Sequence, residues 1–105
     1  MLITDRQKLK KVIDKIKNND LSLTKVKFAF LNLKAIQELM EALKSNTSLT
    51  YLDLQNNNMG HLGAKHIAEA LKLNTSLTYL NLSGNRIEYL GAKHIAEALK
   101  LNTSL

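Results

Sequence analysis

The feature that most constrains this chain is a copy of part of itself. Residues 49–76 read LTYLDLQNNNMGHLGAKHIAEALKLNTS, and residues 77–104 read LTYLNLSGNRIEYLGAKHIAEALKLNTS. The two agree at 21 of 28 positions without a gap, and Leu105 begins a further copy. A period of this length belongs to a solenoid: one unit cannot bury its own apolar stripe, so its neighbours must cover it. Residues 21–48 align without a gap as a degenerate first unit, anchored by Leu43-Lys44 and Asn46-Thr47-Ser48. That alignment puts Val26 at the Leu54 position and Leu31 at the Met59 position, with Thr24 and Ala29 where Leu and Asn are expected. The expected organisation is one domain: a cap at 1–20, a degenerate repeat at 21–48, repeats at 49–76 and 77–104, and Leu105 as the start of an incomplete unit.

Each unit carries two periodicities. Tyr51, Leu52, Asp53, Leu54 and Gln55 alternate polar with apolar, the pattern of a strand with one buried face. Ala64, Ile67, Ala68 and Leu71 then recur at helical spacing, with Lys65, His66, Glu69 and Lys72 on the opposite side. Asn74 is expected to end that helix in a left-handed conformation. Residues 5–17 form a further helix with Leu9, Val12, Ile13 and Ile16 on one face, opened by a capping box of Thr4 and Gln7.

Leu49, Leu52, Leu54, Asn57 and Met59, and again Leu77, Leu80, Leu82, Asn85 and Ile87, spell L-x-x-L-x-L-x-x-N-x-M/I. This resembles a leucine-rich repeat, and the LGAKHIAEALKLNTSL that follows resembles the ribonuclease-inhibitor-like class. The resemblance implies a right-handed α/β solenoid, with a parallel sheet on the concave face and helices on the convex face. It also implies protein binding and no catalysis. Asn57 and Asn85 are then structural: their amides satisfy backbone groups where the strand bends towards the helix.

Strand alternation places the residues between the leucines on the concave face. The expected columns are Leu23, Tyr51, Tyr79; then Lys25, Asp53, Asn81; then Lys27, Gln55, Ser83. Tyr51, Asp53, Gln55, Tyr79, Asn81 and Ser83 are therefore the expected contact residues, with the tyrosines as anchors. The tyrosines could equally do no more than pack on each other across strands. The seven differences between the twin repeats fall at 53, 55, 56 and 58–61, on this face and its rim, which favours binding there.

Net charge adds a second candidate. The chain carries +6, and residues 1–34 hold all of it: nine Lys and Arg against three Asp, with six against six thereafter. Lys8, Lys11 and Lys15 share a helix face, and Lys25 and Lys27 lie on the first strand. An anionic partner, nucleic acid or membrane surface, is the alternative reading. No aromatic residue interleaves the lysines, which disfavours nucleic acid, and capping units need a polar outer side in any case. A third reading is a truncated array with no independent function. Its open last edge would pair with another copy.

The chain is not expected to be an enzyme. His66 and His94 are one repeat position copied, His61 stands apart, and there is no cysteine. No metal site, cofactor or phosphate-binding glycine loop is expected. No stretch approaches the length of a membrane span. A cytoplasmic location is expected, with a secreted effector as the alternative.

Overall fold

A computed structural model describes residues 2–105. The elements follow in the order β1 (Leu2–Ile3), α1 (Arg6–Lys17), β2 (Lys25–Phe28), α2 (Leu33–Ser45), β3 (Tyr51–Asp53), α3 (Gly60–Leu73), β4 (Tyr79–Asn81) and α4 (Glu88–Leu99). The strands form one parallel sheet in the order β1-β2-β3-β4. Each helix packs on the next, α1 on α2, α2 on α3 and α3 on α4. A layer of strands and a layer of helices thus enclose the core, as the repeat implies. The sheet is open at both edges. A Cβ on Gly91 would lie 2.9 Å from the Ala64 Cβ, so α3 and α4 pack at a distance only glycine allows.

The first repeat sits two residues away from the expected alignment. Lys25 pairs with Tyr51, Val26 with Leu52 and Lys27 with Asp53, an offset of 26 residues, whereas β3 and β4 pair at 28. Leu31 donates its N–H to Asn57 as Asn57 donates its own to Asn85, so Leu31 occupies the Asn57 position rather than the Met59 position. The missing two residues come out of the connection into α2. Val26 and Phe28, at 1% and 0% exposure, fill the places of Leu52 and Leu54.

Two local expectations are corrected, and one element is added. The cap of α1 is Asp5, whose carboxylate accepts the Gln7 N–H at 2.8 Å, so the Thr4–Gln7 box does not form. Ahead of it, Leu2–Ile3 adds a two-residue strand to the sheet, too short to leave a period in the sequence. Asn74 is extended, with φ −70° and ψ 134°, not left-handed. Its side chain explains why. The amide N–H₂ reaches back to the carbonyls of Leu43 and Asn46, and its oxygen accepts the N–H groups of Ser76 and Leu77. Asn46 and Asn102 repeat this arrangement one unit before and one after.

Asn57 and Asn85 build a second ladder at the other turn. Asn57 accepts from Leu31 N–H at 2.9 Å and donates to the carbonyls of Phe28 and Leu54 at 3.0 and 2.9 Å. Asn85 accepts from Asn57 N–H and donates to Leu54 and Leu82. Among the described residues no buried side-chain polar atom lacks a partner. The asparagines are what make a buried turn tolerable.

The core is complete at the N-terminal side and thins toward the other. Leu52, Leu54, Ile67 and Leu71 are all at most 1% exposed. Their counterparts Leu80, Leu82 and Ile95 are only partly buried, and Leu99, the counterpart of Leu71, is 47% exposed.

Candidate protein-binding face

The two-residue shift redraws the columns on the outward side of the sheet. Lys25, Tyr51 and Tyr79 form the first and Lys27, Asp53 and Asn81 the second. Leu23 does not belong to the tyrosine column; it is buried in the core. A lysine therefore heads the row of aromatic rings. The rings of Tyr51 and Tyr79 lie parallel, 1° apart in plane with centroids at 4.1 Å. Equivalent positions on adjacent parallel strands impose that spacing. Tyr51 is half-buried and Tyr79 exposed, so the pair packs on itself and still presents a flat aromatic edge. The Tyr79 hydroxyl beside it, then desolvation, hold the Tyr51 phenol above its ordinary range. Tyr51 is thus a neutral hydrogen-bonding group at physiological pH.

The polar members of the expected site have local work. Asp53 is buried, not presented to solvent: one oxygen accepts Gln55 N–H at 2.9 Å, and the other lies 3.9 Å from Lys27 Nζ. Asn81 repeats the turn by accepting Ser83 N–H at 3.0 Å, with the Ser83 hydroxyl donating to it as well. The Asn81 amide donates to Gln55 Oε1. Asp53 and Asn81 thus close the strand ends as side-chain turns, and Gln55 and Ser83 pair with them.

The basic residues divide between layers. Lys8, Lys11 and Lys15 are exposed on α1, while Lys25 and Lys27 are exposed on β2. Lys27 is occupied by Asp53, leaving Lys25 beside the tyrosines. The variable positions 56, 58 and 60 have a conformational reason that sequence could not expose. Asn56, Asn58 and Gly60 all have positive φ, as do Gly84, Arg86 and Glu88 one repeat on. No helix among the described residues is long and apolar enough to cross a membrane.

The chain as a whole resembles known proteins. A solved structure titled "Leiomodin-1 Actin-Binding Site 2 (ABS2)" superposes with a TM-score of 0.89 at 29% identity, over 98% of this chain. The chain spans 60% of that protein's chain. No curated protein sequence matches. The family model of the TMOD/LMOD leucine-rich domain matches residues 5–105, nearly the whole length. The chain belongs to the TMOD/LMOD leucine-rich domain family.

Proposed function

We propose that this chain is a non-catalytic binding module that grips actin through the outward, concave side of its sheet. The stacked pair of Tyr51 and Tyr79, with Lys25 at the head of the row, carries the reading. Rigid aromatic side chains offer large contact area at small entropic cost, and they dominate binding energy where they occur. Lys25 adds a charge that suits an acidic partner surface. Gln55, Asn81 and Ser83 flank the pair as a fixed polar rim, with Asp53 buried behind them holding the Gln55 N–H. The resemblance to a structure named for an actin-binding site supports actin as the partner, and such a partner implies the cytoplasm.

Co-sedimentation with filamentous actin, and fluorescence anisotropy with monomeric actin, test this. Tyr51→Ala combined with Tyr79→Ala is expected to weaken binding about a hundredfold, the scale of two lost anchors. The variant should keep its circular dichroism, since a stacked pair contributes only about 1 kcal/mol beyond its burial. Unchanged actin affinity in the folded double variant would remove this face from consideration.

A further inference from the structure

Phe30 stands where the fold asks for asparagine or glycine. In the observed register Phe30, Asn56 and Gly84 are one position of three successive repeats, with φ of 61°, 58° and 69°. Glycine takes this left-handed conformation freely and asparagine with little strain, but a bulky side chain bears the full steric cost. The ring recovers none of that cost within the folded chain, because Phe30 is 84% exposed. Arg86 and Glu88 also have positive φ, yet their charged heads are well solvated. An aromatic ring left in water is not. Strain combined with wasted apolar surface marks a residue whose partner is elsewhere.

The ring borders a groove of about 340 Å³ between α1 and the start of α2. Leu9, Ile13 and Ala35 supply its apolar lining, and Arg6, Lys10 and Lys34 bring three cations against the single carboxylate of Glu38. Asp5 lies in a smaller hollow across Phe30 and is engaged as the cap of α1, while Asp14 and Glu41 line the adjoining recess beyond Ile13 and Glu38, where Lys17 offsets one of them.

We propose that Phe30 and this groove form a second docking site, separate from the tyrosine face, for an acidic peptide segment of a protein partner that carries an apolar anchor. The cations select an acidic chain. The apolar lining and the Phe30 ring take one leucine- or phenylalanine-sized side chain. A bilayer surface is drawn by the same charges, but it cannot fill a recess between two helices. Nucleic acid has no side chain for an apolar lining.

The test pans a displayed library of random short peptides on the intact chain, with Phe30→Asn as counter-selection, and measures the enriched peptides by fluorescence anisotropy. The expected consensus is acidic residues around one large apolar residue. Phe30→Asn should weaken these peptides about tenfold or more, as loss of an aromatic anchor does. The same change should raise the melting temperature by roughly 5 °C, because it relieves the backbone. Arg6→Glu with Lys34→Glu should abolish binding, and the double tyrosine variant should leave it intact. A library that enriches nothing over Phe30→Asn, or enriches peptides without acidic residues, overturns the proposal. So does Phe30-dependent binding to phosphatidylserine vesicles or to oligonucleotides in place of peptides.

Discussion

Asn57→Leu should lower the unfolding free energy by about 3–5 kcal/mol, a third or more of what a domain of this size holds. The substitution keeps the volume roughly and adds apolar surface, so a reading from hydrophobicity alone would expect little harm. The hydrogen bonds say otherwise. Removing the amide orphans the Leu31 N–H and the Phe28 carbonyl, both served by Asn57. Each buried orphan costs roughly 1–3 kcal/mol. The Leu54 carbonyl is spared, because Asn85 also donates to it. That redundancy makes the comparison with Asn85→Leu informative. There the main buried orphan is the Asn57 N–H, so the loss should be nearer 2 kcal/mol. Urea denaturation followed by circular dichroism measures both. Equal losses at the two positions would show that the ladder does not act through the groups named here.

Continuing Leu105 into another copy of residues 77–104 should produce the largest gain in stability of any single change. Leu80, Leu82, Ile87 and Ile95 are partly buried, and Leu99 is 47% exposed. Covering these five side chains contributes about 4–7 kcal/mol at roughly half the value of full burial each. In a stacked array that gain appears as a neighbour-to-neighbour contribution. The melting temperature should rise by about 10 °C or more. Leu80→Ala reports the same event from inside. It should cost about 1 kcal/mol in the chain as it stands and about 3 kcal/mol in the extended one, where its site is fully enclosed like that of Leu52. The extended chain carries its open edge one unit further on. An unchanged melting temperature and an unchanged cost at Leu80 would mean that the added unit does not stack.

The repeat was legible in the sequence because near-identical copies leave no other reading, and strand and helix followed from their periods. The register of the first unit was not. An ungapped alignment anchored on Leu43-Lys44 and Asn46-Thr47-Ser48 is correct for the helix and its exit, and wrong by two residues for the strand. The signal was present in Thr24 and Ala29, which fit badly where Val26 and Phe28 fit well. Loops absorb length changes that strands and helices cannot, so a gap belongs between Leu31 and Ile36. The second asparagine ladder was missed for another reason. A residue that ends a helix is read for its own backbone, whereas Asn74 acts through carbonyls 28 and 31 positions away. At the candidate site the tyrosine pair was legible, but its neighbour was not, since Lys25 joins the row only in the corrected register. The burial of Asp53 follows from a turn that alternation does not encode.

Both ladders face one way. Asn57 and Asn85 take their N–H groups from the preceding unit, and Asn46, Asn74 and Asn102 donate to carbonyls of the unit before. Thr50 and Thr78 likewise donate to Thr24 and Thr50. The array therefore has a direction as well as a period. As the chain leaves the ribosome, each new asparagine finds the groups it bonds already laid down, and the N–H of Leu31 or Asn57 waits for the unit that follows. The same asymmetry lets a gene lengthen by copying its last unit: the old end meets the new one on the terms by which it met its own predecessor.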